Sequence, residues 1–219
     1  MNRKLHYQTI SPLLKSALKW LMTEKVFEPF RLVGGTALSL RLGHRQSADI
    51  DLFTDAGYGS VDFKQIDNCL ERKFKYTDSL HLETTGFGKS YYIGESALNC
   101  VKLDLFYTDN FIRPVSKTDN IRFAAIDDIV AMKVDIVSRG ARKKDFWDLH
   151  ELLDIYSIPE MLKMHLERYP FSHNKNEIIA KFSDFESADN DFDPICLKGK
   201  YWELIKLDIV EALEKISNP

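Results

Sequence analysis

An α+β fold is predicted, with a mixed sheet in the first half of the chain and helices in the second. Strand-like runs with period-two alternation or continuous apolar character fall between residues 31 and 125. Glycines interrupt those runs at turn spacing, as in Gly86-Phe87-Gly88 and Gly94-Glu95. After Ile126 the apolar residues recur at helical spacing to the end of the chain. The expected division is a sheet core with an N-terminal helix over 1–125, and a helical region over 126–219.

The elements follow in order. Ser11-Pro12 is a helix start signal, and Leu13, Leu14, Ala17, Leu18, Leu21 and Met22 supply the apolar stripe of a helix extending to Phe27. Arg31-Leu32-Val33 reads as a short strand entering a tight turn at Gly34-Gly35, and Thr36 to Leu42 as a helix closed by Gly43. From Ala48 to Thr54 the alternation is strict: Ile50, Leu52 and Thr54 face one way, Asp49, Asp51 and Phe53 the other. Ser60 to Lys75 is an amphipathic helix. Strands are expected at Leu80–Thr85, Ser90–Ile93, Cys100–Thr108 and Ile121–Ala125, then helices at Asp127–Arg139 (stopped by Gly140) and Lys143–Tyr156, with several more to the end. Asp189 to Pro194 is polar and reads as a loop. No internal repeat or low-complexity tract is present.

Composition narrows the class. The 219 residues are 44% hydrophobic and 29% charged, the balance of a folded globular chain. No apolar run is long enough to cross a bilayer, and Met1 to Tyr7 lacks the apolar core of a signal peptide, so no membrane partner is expected and a cytoplasmic location is the default. Cys69, Cys100 and Cys196 are too scattered for a disulfide framework or a zinc ribbon and read as small buried hydrophobes. A net charge of −3 excludes a chain that binds nucleic acid by overall charge, while local basic clusters remain able to meet phosphate.

The chemistry concentrates in the first strand-turn-helix-strand unit. Gly34-Gly35 lets backbone N–H groups approach an anion, and the following helix directs its positive end to the same place. The next strand presents Asp49 and Asp51 on one face. Two carboxylates forced together repel, and a divalent cation removes the repulsion; Mg²⁺ suits because it takes hard oxygen ligands and shares them with phosphates. Asp104, on a strand that otherwise reads as core, is the expected third carboxylate sharing that metal, since an unpaired buried charge is costly. Lys133 lies on a helix whose Ile129, Val130, Val134 and Val137 face the core, so its ammonium can reach a cleft and meet a triphosphate. Arg139, Arg142, Lys143 and Lys144 concentrate positive charge nearby, for phosphate or for helix termini. His44 and Arg45 precede the Asp pair and either touch a phosphate or base, or anchor their loop. Asp145 and Asp148, one helical turn apart, both suit the start of the Lys143 helix, and for Asp148 a cap or ion-pair role stands beside a functional one.

Leu32-Val33-Gly34-Gly35-Thr36-Ala37-Leu38, followed by His44-Arg45-Gln46-Ser47-Ala48-Asp49-Ile50-Asp51-Leu52-Phe53, resembles the first motif of the DNA polymerase β-like nucleotidyltransferases. The wording is similar to the AbiEii/AbiGii abortive-infection toxin family within that superfamily. Asp128, Lys133, Ser138-Arg139-Gly140, Arg142 and Lys144-Asp145-Phe146-Trp147-Asp148-Leu149 resemble its second signature. The resemblance spans about Leu32 to Leu153. It implies transfer of a nucleotide from an NTP such as ATP, with Mg²⁺ in a two-metal site, onto a tRNA or protein acceptor, and a cognate antitoxin as partner. It implies metal ligation by Asp49 and Asp51, with Asp104 as the wider superfamily's third carboxylate. It also implies nucleotide contacts from Gly34, Gly35, Thr36, Arg45, Lys133 and Lys144, and a base or orienting group at Asp145. The helical second half would complete the cleft.

Two other functions fit the same residues. One is a small-molecule nucleotidyltransferase of the aminoglycoside type, for which the acidic stretch Ser183 to Asp193 would receive a cationic acceptor. The other is a catalytically idle nucleotide- or RNA-binding module. The remaining histidines, His6, His81, His150, His165 and His173, show no metal-ligand spacing and read as surface or capping residues. Phe146, Trp147 and Trp202 read as core.

Overall fold

In a computed structural model, residues 4–79 and 86–217 are described. Ser11 caps α1 (Pro12–Leu21), its hydroxyl accepting the Leu14 N–H at 3.1 Å. The helix stops earlier than its apolar stripe suggests. The chain turns at Met22, the Thr23 hydroxyl donates back to the Trp20 carbonyl at 2.7 Å, and a 3₁₀ turn covers Lys25–Phe27. Then come β1 (Arg31–Leu32), α2 (Gly34–Leu42) and β2 (Asp49–Thr54). Gly43 ends α2 in the left-handed region at φ 69°, as its position predicts.

Asp62 caps α3 (Phe63–Lys73), which is followed by β3 (Tyr76–Ser79), β4 (Gly88–Ser96) and β5 (Asn99–Tyr107). The strand expected at Leu80–Thr85, and His81 within it, lie outside the described residues. A hairpin of β6 (Ser116–Thr118) and β7 (Ile121–Phe123) leads into α4 (Ile126–Ser138). The helical half continues with α5 (Lys143–Leu153), α6 (Ile158–Arg168), α7 (Lys175–Phe182), the short α8 (Glu186–Asp189) and α9 (Trp202–Ser217). The helix expected to reach Tyr156 ends at Leu153, because Ser157 and Glu160 form a capping box that starts α6.

Among the described residues, seven strands form one sheet in the order β3-β4-β5-β2-β1-β7-β6. It is mixed: β2 runs parallel to β5 and β1 to β7, while the other neighbours are antiparallel. A continuous apolar core joins α1 and the sheet to α4, α5 and α9. Phe146, Trp147 and Trp202 belong to it, with the two indoles stacked at 6.2 Å between centroids. Two sequence expectations fail here. His150 and His165 are buried, the first bonded to Asp208 and the second to His173, because each sits on the inner face of its helix. The three cysteines are free but only partly buried.

Candidate functional site

The register of β2 on β5 builds the site. Asp49 lies opposite Lys102 and Asp51 opposite Asp104. Ile50, Leu52, Leu103 and Leu105 are fully buried on one face of these strands, so the alternating residues project together on the other. Three carboxylates and one ammonium are thereby delivered to one patch of sheet.

The Gly-Gly turn fits closely over that patch. Gly34 has φ 68°, and a Cβ there would overlap Oδ2 of Asp51. A Cβ on Gly35 would overlap Nη2 of Arg45. Thr36 is fully buried: its hydroxyl donates to the Asp49 carbonyl and lies 2.8 Å from the Ser47 hydroxyl, tying the start of α2 to the start of β2. The side chain of Thr36 is therefore spent inside the fold and does not face the cleft.

A cleft of about 440 Å³ opens over the patch, with Gly34, Gly35, Arg45, Lys133, Lys144 and Asp145 on its walls beside the three carboxylates. Burial, then the nearby Asp104 and Asp49 charges, push the Asp51 carboxyl up to about 6. Lys144 Nζ stands 3.8 Å from Oδ2 of Asp49, and burial together with Arg142 lowers its pKa. Asp104 is not the unpaired charge that its sequence neighbours suggest. Lys102 Nζ donates to its Oδ2 at 2.5 Å, and the Ser90 hydroxyl to its Oδ1 at 2.6 Å.

Beneath the cleft lies a buried ionic network. Asp148 has no exposed surface. Its carboxylate accepts Arg45 Nε at 2.6 Å and Nη2 at 2.8 Å, meets His44 Nε2 at 2.7 Å, and lies 2.7 Å from Lys133 Nζ. Burial alone would raise the Asp148 pKa, but Lys133, Arg45 and the His44 hydrogen bond hold it well below the usual carboxylate range. Lys133 also donates to Oδ1 of Asp145 at 2.7 Å, and the Arg142 backbone N–H donates to Oδ2 of Asp145 at 3.2 Å. Lys133, Arg45 and Asp145 thus reach the cleft wall with their polar atoms already engaged, and His44 and Arg45 act as anchors of their loop.

The C-terminal residues support the same loop. Arg45 pairs with Cys196 as an isolated antiparallel bridge, the Gln46 N–H donates to the Ile195 carbonyl at 2.9 Å, and the Leu197 N–H to the His44 carbonyl at 2.8 Å. Four carboxylates of the Asp-rich stretch are used internally. Asp184 pairs with Lys181, Asp189 with Lys206, Asp191 accepts the Lys143 N–H and Asp193 holds Lys143 Nζ.

Mg²⁺ fits this donor set on one condition. Asp49 and Asp51 offer hard oxygens, and Asp51 carries the excess negative potential that a cation relieves. Among the described residues, however, no group of three or more His, Cys, Asp or Glu side chains is placed to hold a metal ion. Mg²⁺ commonly takes one or two carboxylates and completes its shell from water and substrate phosphates, so the pair suffices where a triphosphate is present.

Sequence reasoning overlooked Lys102 and Ser90, and it named Ser47 only as part of the first motif. Lys102 carried a usable signal, since it stands two residues before Asp104 on one strand and so shares its face. Ser90 meets Asp104 from the neighbouring strand β4, and Ser47 meets Thr36 at the start of α2, pairings set by strand register and helix placement.

Known proteins share this architecture. The family model described as the nucleotidyl transferase AbiEii toxin of the type IV toxin–antitoxin system matches residues 17–217. An uncharacterized protein of Aquifex aeolicus is 26% identical over 203 residues, covering 88% of this chain and 90% of its own. A candidate nucleotidyltransferase from Helicobacter pylori superposes with a TM-score of 0.58 at 19% identity, covering 92% of each chain. MenT4, a nucleotidyltransferase toxin from Mycobacterium tuberculosis, gives a TM-score of 0.55 at 13% identity, covering 94% of this chain and 80% of its own. At these identities the two structures speak for the fold alone.

Proposed function

Because this chain belongs to the AbiEii nucleotidyl transferase toxin family, we propose that it transfers a nucleotide from an NTP, with Mg²⁺, onto a tRNA or protein acceptor. In the cell it would be the toxin of a type IV-like pair, with a cognate antitoxin protein as partner. The observation that carries the reading is the register of Asp51 beside Asp104, with Asp49 on the same face, beneath a glycine turn with no room for a side chain.

Asp49 and Asp51 would hold the metal, and Asp104 would join them once Lys102 yields. When bound, Mg²⁺ supplies Lewis-acid stabilisation of charge on phosphoryl oxygens. The residues of the chain do the rest. Gly34 and Gly35 leave the turn open for close approach of phosphate. Lys144, held only loosely by Asp49, is free to neutralise the triphosphate. Asp145 orients Lys133, and the Arg45–Asp148 pair fixes the loop that carries Ser47 into the cleft. Such a site acts by positioning and electrostatic stabilisation, which is what in-line phosphoryl chemistry demands.

The test is incubation of the purified protein with Mg²⁺, each α-labelled NTP, and total tRNA or cell extract. Label is expected in macromolecules, and its sensitivity to ribonuclease or protease names the acceptor. Failure of all four NTPs to label either class would overturn the reading.

A further inference from the structure

We infer that Phe192, Arg142 and Lys144 form a nucleotide subsite beside the carboxylate cleft, the ring stacking on a base and the two cations meeting its phosphate. The inference rests on the nucleotidyl-transfer reading above. A second hollow of about 290 Å³ adjoins the cleft, with Arg45, Ser47, Asp49, Arg142 and Lys144 common to both walls. Phe192 stands at its edge with 98% of its surface exposed.

A single exposed phenylalanine is ordinary on a protein surface. What distinguishes this one is the fastening of the loop on either side of it. Asp191 accepts the Lys143 backbone N–H at 3.0 Å, and Asp193 holds Lys143 Nζ at 3.0 Å. Beyond Pro194, the Ile195 carbonyl accepts the Gln46 N–H and the Leu197 N–H donates to His44. Lys143 precedes Lys144 and Gln46 follows Arg45, so the ring is carried on a segment tied to the cleft's own wall.

The flanking cations are weakly engaged. Arg142 is 67% exposed at its side chain and lies 3.9 Å from Asp145, while Lys144 lies 3.8 Å from Asp49. An aromatic face beside two available cations suits a planar base joined to a phosphate, because stacking accepts any base and the cations accept the anion. The same chemistry is offered by the base of the donor NTP and by the terminal nucleotide of a single-stranded acceptor.

The experiment compares full-length wild type, Phe192→Ala and Phe192→Trp, with unfolding curves confirming an unchanged fold. One arm measures binding of non-hydrolysable NTP analogues with Mg²⁺, the other binding of a labelled single-stranded RNA of mixed sequence. Phe192→Ala is expected to weaken one arm about tenfold, the size of a lost base stack. Phe192→Trp is expected to retain affinity, with its added fluorescence quenched on binding. Loss in the NTP arm assigns the ring to the donor base, and loss in the RNA arm to the acceptor. Unchanged affinity of Phe192→Ala in both arms, or no binding of either probe by wild type, overturns the subsite. Transfer that depends on Asp49 and Asp51 while ignoring Phe192 would remove the subsite and leave the function standing.

Discussion

Arg45 grips Asp148 through two parallel hydrogen bonds, Nε to Oδ1 at 2.6 Å and Nη2 to Oδ2 at 2.8 Å, across 103 positions of sequence. The pair joins the loop before β2 to the middle of α5, and Lys133 adds a second cation whose charge Asp145 balances. Removing the carboxylate would leave two buried cations facing each other. Asp148→Ala is expected to cost about 3–5 kcal/mol, the usual penalty for breaking a buried pair by deleting one partner. Urea unfolding reads this as a lower midpoint at unchanged slope. A loss below about 1 kcal/mol, the scale of an exposed pair, would show that the network is not structural.

Acid should weaken the fold in two stages. Burial and then the Arg139 charge lower the His165 pKa to about 4, while the unfolded chain keeps a value of about 6.5. The unfolded state therefore takes up the proton first, so stability is full above pH 6.5 and falls as pH drops toward 4, by on the order of 3 kcal/mol. His165 faces His173 at 2.9 Å, Asp135 at 3.6 Å and the ring of Tyr169. Asp148, whose folded pKa is depressed, adds stability that persists above its unfolded value and is lost only below about pH 4. Unfolding midpoints measured from pH 7.5 to 4.5 should decline in wild type and flatten in His165→Gln. An equally steep decline in the variant would assign the effect elsewhere.

The glycine turn makes a sharper demand. Gly34→Ala meets both the positive φ and the Asp51 carboxylate, so it should destabilise the fold by more than about 1 kcal/mol and also displace Asp51. Gly35→Ala would push on the Arg45 guanidinium and loosen its hold on Asp148. Steady-state transfer kinetics should show kcat falling in both. Wild-type kcat in Gly34→Ala would mean that Asp51 does not act from the position described.

Lys144 offers a test of binding as opposed to chemistry. With its ammonium 3.8 Å from Asp49 and partly exposed, Lys144→Met should raise KM for NTP about tenfold, as loss of one charge-assisted contact does. The fold should be unaffected. A change in kcat alone would place Lys144 in the chemical step.

Much of this was readable from sequence, for reasons that differ by element. The strict alternation of β2 is a local signal, and it placed Asp49 and Asp51 on one face correctly. β3 escaped because Tyr76 to Ser79 is a polar edge strand with no apolar face to alternate. β7 was expected within Ile121–Ala125, but its partner β6 escaped, although Asp119-Asn120 is a two-residue turn pair and both residues take positive φ as such hairpins require. The carboxylate patch was legible as composition and Lys102 by its spacing from Asp104, but Ser90 beside Asp104 and the partners of Asp148 were not. Ser90 arrives through strand register, and His44 and Arg45 reach Asp148 from more than a hundred residues away. The pairing of 195–197 with 44–46 is likewise a contact between irregular segments, with no periodicity to announce it.

The most direct measurement is transfer of α-labelled nucleotide by wild type and by the Asp49→Ala, Asp51→Ala double variant, side by side with their thermal unfolding. Both positions are partly exposed to the cleft, so the double variant is expected to fold and to transfer no label. A folded double variant that still transfers nucleotide at the wild-type rate would contradict the assignment of the site.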